Sequence, residues 1–248
     1  MKGVILAGGR GTRLDPLTRV TNKHLLPVYD KPVIYYAVEK LAQAGIDRIM
    51  IVTSPHHLDD FVQLLGSGQY FTSKKTGKQI QIVYGIQNEP NGIAFGLYIA
   101  RDYVGKDDCI LCLGDNIIED DLSPHIEAFK KGATIFLKKV PDPKRFGIAT
   151  VNSRGKVIDI VEKPAHSKSN LAVIGAYIYD NTVFRKMIGQ PASKRGEKEI
   201  TWVNKKYLAE GSLRAVELQK EWFDIGTVDS LLAASNYMEQ KHGHAKKR

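Results

Sequence analysis

The stretch Lys2-Gly3-Val4-Ile5-Leu6-Ala7-Gly8-Gly9-Arg10-Gly11-Thr12-Arg13-Leu14 decides the fold. An apolar run that stops abruptly in glycine reads as a buried strand of a parallel sheet entering a tight loop. Downstream, Pro32 is suited to the first turn of a helix whose apolar positions Val33, Ile34, Ala37, Val38 and Leu41 recur at helical spacing and stop before Gly45. Arg48-Ile49-Met50-Ile51-Val52-Thr53 then reads as a strand. The alternation predicts a helix near 57–65, a strand near 79–84, a helix near 92–104 and a strand at 108–113. This order predicts an α/β fold: a doubly wound, mostly parallel Rossmann-like sheet with helices on both faces. Beyond residue 140 the pattern is mixed, with β-like pieces at 147–151, 156–161 and 171–179, then helical stretches and a last amphipathic helix from about 227. No repeat, low-complexity segment or Gly/Ser linker divides the chain, so a single domain over 1–240 is expected.

A chain of 248 residues is long enough for one large core. Its 43% hydrophobic and 25% charged residues exclude disordered and fibrous classes. No apolar run approaches the ~18 to 20 residues of a membrane span, and Met1-Lys2-Gly3-Val4-Ile5-Leu6 turns to glycine too soon for a signal peptide; a cytoplasmic protein without a membrane partner is expected. Cys109 and Cys112 share one apolar segment, with no second Cys/His pair at zinc-like spacing. The net charge of +9, from 36 basic and 27 acidic residues, invites a nucleic-acid reading. Yet part of the excess collects in Lys74-Lys75-Thr76-Gly77-Lys78 and in a basic tail at 241–248, which read as a solvated loop and end. No nucleic acid is expected as partner, and positive charge serves small anionic substrates equally well.

Several short segments carry chemistry. In the first loop, glycines let backbone N–H groups approach a polyphosphate, and Arg13 adds a fork of donors. The spacing is neither that of a Walker A loop nor that of a dinucleotide fingerprint, and strand-to-helix turns also use glycine for steric reasons alone. Gln87-Asn88-Glu89-Pro90-Asn91-Gly92 lies between a predicted strand and helix, where the Gln87 amide can read a base edge. Leu113-Gly114-Asp115-Asn116 puts a carboxylate at the carboxyl edge of the sheet, where ligands gather; a turn-capping aspartate is the alternative. Asp224, in Trp222-Phe223-Asp224-Ile225-Gly226-Thr227, precedes the last helix, again with capping as the alternative. Val161-Glu162-Lys163-Pro164 holds opposite charges side by side. On a strand these two side chains face apart, so they address one ligand only if the backbone turns there; an exposed ion pair is the alternative.

With Asn22-Lys23-His24-Leu25-Leu26-Pro27-Val28-Tyr29-Asp30-Lys31-Pro32 following the glycine loop, the chain resembles the sugar nucleotidyltransferases over roughly residues 2–240, most closely the glucose-1-phosphate thymidylyltransferases. The resemblance implies transfer of a nucleotidyl group from dTTP, or alternatively UTP, to a sugar 1-phosphate such as glucose 1-phosphate, with release of pyrophosphate. It implies a nucleotide-binding part at about 1–115, with Leu6, Gly8, Gly9, Gly11 and Thr12 around the nucleotide and Arg13 and Lys23 on the triphosphate. Gln87 and Gly92 match the base-reading positions, and Asp115 joins the nucleotide site. A sugar-binding part at about 116–240 is implied to use Asn116, Gly147, Glu162, Lys163 and Gly175, with Glu162 accepting sugar hydroxyls and Lys163 holding the sugar phosphate. Arg13, Lys23 and Lys163 are the implied catalytic residues, and Asp115 and Asp224 the implied Mg2+ ligands.

Two segments depart from the family pattern. Gly92-Ile93-Ala94-Phe95-Gly96 replaces the usual Gly-Leu-Ala-x-Ala, and Trp202 stands after Glu199-Ile200-Thr201 where aspartate is usual. Long-form relatives carry added C-terminal helices that help form a regulatory site and subunit contacts; a short form without that site is expected here, with homo-oligomerisation left open. A non-catalytic nucleotide-sugar regulator is the competing reading. The joint presence of Arg13, Lys23, Asp115, Lys163 and Asp224 argues against it, because binding alone does not require the carboxylate pair.

Overall fold

The computed structural model describes residues 1–193 and 195–243, so most of the expected basic tail lies outside the described residues. The elements follow in the order β1 (Lys2–Ala7), β2 (Pro27–Val28), β3 (Lys31–Pro32), α1 (Val33–Gln43), β4 (Arg48–Thr53), α2 (Leu58–Leu65), β5 (Gln81–Ile86), α3 (Ile93–Ile99), α4 (Arg101–Val104) and β6 (Cys109–Leu113). Then come β7 (Asn116–Ile118), α5 (Ser123–Glu127), β8 (Ala133–Lys139), β9 (Gly147–Val151), β10 (Val157–Glu162), β11 (Leu171–Tyr179), α6 (Val183–Lys186), α7 (Ile200–Ala209), β12 (Leu213–Glu217), β13 (Trp222–Asp224) and α8 (Val228–His242).

Period-two alternation along β1 explains the layering. Val4 and Leu6 pack into one cluster with α3, α4, α6 and α7; Ile5 and Ala7 point the other way, into a cluster with α1, α2 and α5. Helices therefore cover both faces, as expected. The central sheet has nine strands in the order β10-β9-β11-β6-β1-β4-β5, with β8 also on β11 and β12 on β8. The run β6-β1-β4-β5 is parallel throughout. The mixed second half joins it through β11, whose Ala176–Tyr179 pair antiparallel with β6 while Leu171–Val173 pair with β9. Strand β8 runs along the other edge of β11.

Several details differ from the sequence reading. The strand expected near 79–84 is displaced to Gln81–Ile86, and the helix expected over 92–104 divides at Ala100, whose N–H turns to the Leu97 and Tyr98 carbonyls. Strand β8 was not anticipated, nor was the two-stranded ribbon of β7 and β13. Lys241 and His242, expected in the tail, close α8, where Lys241 pairs with Glu119.

Candidate active site

The carboxyl ends of β1, β5 and β6 converge, and each delivers one part of the site. After β1, a Cβ on Gly8 would lie 3.1 Å from Gln87 Oε1, and one on Gly9 would lie 3.0 Å from Lys23 Cε. The side chains of Gln87 and Lys23 thus pack closely against the glycines of this loop. Gly11 has a left-handed φ of 65° and accepts the Leu14 N–H at 2.8 Å, closing a single 3-10 turn over Thr12–Leu14 anchored by buried Leu14.

Asn22 holds Lys23 in place. Its Nδ2 donates to the Ala7 carbonyl at 3.1 Å, and its Oδ1 accepts from the His24 N–H at 3.0 Å, tying the end of β1 to the turn Lys23–Leu25. Because that oxygen can only accept, His24 Nδ1, 2.6 Å away, carries the proton. Burial and then the neighbouring Lys23 charge push His24 down to about 3, so it is a neutral structural group. The Lys23 ammonium forms a largely buried ion pair with Asp115. Burial alone would raise the Asp115 carboxyl, yet Lys23 and the Asn116 amide, which donates to Asp115 Oδ1 at 2.9 Å, hold it at about 2.

The ribbon of β7 and β13 brings up the second carboxylate. Asp224 stands opposite Asn116, and the Ile225 N–H donates to the Asp115 carbonyl at 2.9 Å. Burial and then the Asp115 charge push Asp224 up to about 6, against the opposing pull of Lys23, Arg145 and Arg13. Arg145 Nη2 donates to Asp224 Oδ2 at 3.2 Å. Arg13 reaches across to the same turn: a Cβ on Gly226 would lie 2.8 Å from its Nη2. The capping alternatives for the two aspartates fall away. Thr227, not Asp224, caps α8, in a capping box with Ser230, and the Asp115 carboxylate is bonded to side chains.

In the second half, Lys163 has a left-handed φ of 42°, and its N–H donates to the Phe146 carbonyl at 3.0 Å. This is the backbone turn that the adjacent charges required. Such a conformation in a residue other than glycine is uncommon and is concentrated at functional sites. Glu162 pairs across the ladder with Gly147, accepts from Thr201 Oγ1 at 2.5 Å and meets Arg195 at 3.4 Å. A Cβ on Gly147 would come within 3.2 Å of Glu162 Oε2. Asn116 lines the cavity but commits its Oδ1 to the Gly175 N–H at 3.1 Å and to Trp222 Nε1 at 2.7 Å, so it acts as a clamp between three strands. A Cβ on Gly175 would lie 2.7 Å from Leu113 Cγ. Gly92, at φ 97°, meets protein as well: a Cβ there would lie 2.6 Å from the Lys198 carbonyl, which docks the 195–199 segment against the loop of Gln87 and Gly92.

Two cavities result. One of about 200 Å3 is lined by Leu6, Gly8, Gly9, Gln87 and Gly92; the other, of about 270 Å3, by Arg13, Asn116, Gly147, Glu162, Lys163, Gly175 and Asp224. They share Lys23, Ile93, Leu113, Asp115 and Glu197, so they meet at the Lys23–Asp115 pair. Gly11 and Thr12 line neither and shape the loop instead. Residues 2–241 match the family described as Nucleotidyl transferase. The chain belongs to this family.

The nucleotidyl transferase is 43% identical to a glucose-1-phosphate thymidylyltransferase of Xanthomonas campestris, over 96% of this chain and 80% of that protein. A protein of the same name from Mycolicibacterium smegmatis is 42% identical, over 96% and 82%. Among solved structures, a candidate glucose-1-phosphate thymidylyltransferase of Bacillus anthracis in complex with a sucrose superposes with a TM-score of 0.88 at 47% identity, covering 96% of this chain and 94% of that one. A UDP-glucose pyrophosphorylase complexed with UDP-glucose shares the fold, with a TM-score of 0.83 at 24% identity over 97% and 98%.

No motif marks Arg145, Tyr177, Glu197 or Trp222 in the sequence, yet all four line the second cavity of the nucleotidyl transferase. Arg145 and Trp222 stand two residues before Gly147 and Asp224. The signal available was their adjacency to Gly147 and Asp224, with nothing in the sequence to indicate that their side chains turn inward. Among the described residues no helix is long and apolar enough to cross a membrane.

Proposed function

We propose that this nucleotidyl transferase joins dTMP from dTTP to glucose 1-phosphate, giving dTDP-glucose and pyrophosphate. The observation that carries the reading is the pair of cavities meeting at Lys23 and Asp115: a glycine loop with Gln87 on one side, and Glu162 with Lys163 on the other. Two anionic substrates can approach end to end there. The names of the relatives supply the choice of base and sugar.

A sugar-phosphate oxygen attacks the α-phosphorus in line; the bond from that phosphorus to the oxygen bridging the β-phosphorus breaks, and pyrophosphate leaves with the electron pair. Lys163, with no ion-pair partner among the described residues, holds the attacking phosphate, while Arg13 and Lys23 stabilise the triphosphate and the departing charge. No covalent intermediate is needed. His24 is buried and neutral, and Cys109 and Cys112 are buried thiols pushed up to about 12.

Magnesium fits the donor set. Among the described residues no cluster of three or more metal-ligating side chains exists, but Asp115 and Asp224 bring two hard oxygen donors together, and Asp224 is raised by burial and then by the Asp115 charge, the second of which a cation would relieve. Bound there, magnesium would complete its shell with phosphate oxygens and water and neutralise the α-phosphate. A pyrophosphate-release screen of dTTP, UTP and other triphosphates against several sugar 1-phosphates tests the reading. The highest rate is expected with dTTP and glucose 1-phosphate; preference for another pair would reassign the substrates, and no release with any pair would leave only a binding module.

A further inference from the structure

The geometry points to Arg145 as a cation with two stations: it shields Asp224 in the substrate-free site and, once a divalent cation claims that carboxylate, it holds the phosphate of the sugar 1-phosphate. The second station rests on the function proposed above; the first does not. Arg145 ends a short 3-10 turn, Pro143–Arg145, and lines the cavity that contains Lys163 and Glu162. It does not line the cavity of the glycine loop, and its neighbour Phe146 is bonded to the backbone of Lys163.

Its bonding is incomplete. A guanidinium presents five donors in a planar fork suited to two oxygens of one anion. Among the described residues it makes a single hydrogen bond, Nη2 to Asp224 Oδ2 at 3.2 Å, while Nε is buried without an acceptor. A buried donor without a partner is costly, and a shift of the side chain away from Asp224 would let an oxyanion satisfy it. The guanidinium has a second hold besides Asp224, because its carbon lies 5.4 Å from the centre of the Phe146 ring, and that ring packs edge-on against Trp222 with centroids 5.5 Å apart. The carbonyl of Phe146 accepts the Lys163 N–H, so both cations are mounted on one backbone corner. Losing Asp224 to a metal would leave Arg145 anchored and free to pair with an anion beside Lys163.

The test is Arg145→Met, which keeps an unbranched side chain and removes the charge, with Arg145→Lys as the partial replacement. Manganese titrated into the nucleotide-free protein and followed by electron paramagnetic resonance should bind about tenfold more tightly to Arg145→Met, because the competing cation is gone. In steady state, KM for glucose 1-phosphate should rise about tenfold while KM for dTTP stays within about twofold, with Arg145→Lys intermediate in both assays. An unchanged or weakened manganese affinity overturns the first station, and an unchanged KM for glucose 1-phosphate overturns the second. If the unaltered chain releases no pyrophosphate with any substrate pair, the functional reading falls and takes the second station with it, while the manganese titration still decides the first.

Discussion

At the scale of single residues, the two aspartates make opposite predictions. Asp224 is raised to about 6 from an ordinary 3.8, so the unfolded chain releases this proton first, and folded stability falls as pH rises between about 4 and 6. In metal-free protein at pH 7, Asp224→Asn should therefore raise Tm, with the gain disappearing below about pH 4, while turnover falls by ~10² or more. Asp115, held at about 2, contributes stability above about pH 4 that is lost as the pH falls toward 2. Asp115→Asn should lower Tm at pH 7, since it strands the buried Lys23 ammonium. Thermal melts in chelator across pH check both, and shifts of the same sign at pH 7 would contradict the assigned environments. For Lys163, alanine should abolish most sugar-phosphate affinity and change triphosphate affinity less, as read by calorimetry. Glycine at this position should do the same while stabilising the fold slightly, by about 1 kcal/mol, through relief of the left-handed backbone.

At the scale of elements, legibility followed length. Strand β1, helix α1 and strand β4 declare themselves by periodicity, and the amphipathic stretch from about 227 marks α8, although its cap is Thr227 and not Asp224. The ribbon of β7 and β13 has three residues per strand, too few for any period to show, yet it is what sets Asp224 against Asp115. Hence the two carboxylates could be named from their surrounding residues, but their proximity could not be derived. Glycines were legible as requirements and not as reasons: Gly92 and Gly175 proved to be fitted to protein neighbours, Lys198 and Leu113, which only the packed chain reveals. Gly226 offers a test at this level. Gly226→Ala would push a Cβ against the mobile end of Arg13, so KM for the triphosphate should rise severalfold with Tm nearly unchanged; a large loss of stability would show that the turn itself cannot accept the side chain.

At the scale of the whole molecule, Cys109 and Cys112 report on the central sheet. Both are buried on β6, and burial raises their thiols to about 12. Neither should react with iodoacetamide until the sheet opens, so labelling should follow global unfolding in denaturant; fast labelling under native conditions would mean that β6 frays locally. The same strand lies where the two halves meet, because β11 pairs with β6 along one stretch and with β9 along another. For protein engineering this means that acceptor preference is not a detachable cassette. A transplant of residues 116–240 from a relative would have to rebuild the β6–β11 ladder before it could deliver a new sugar, whereas altering side chains at the cavity wall, such as Phe146 and Trp222, leaves that ladder untouched.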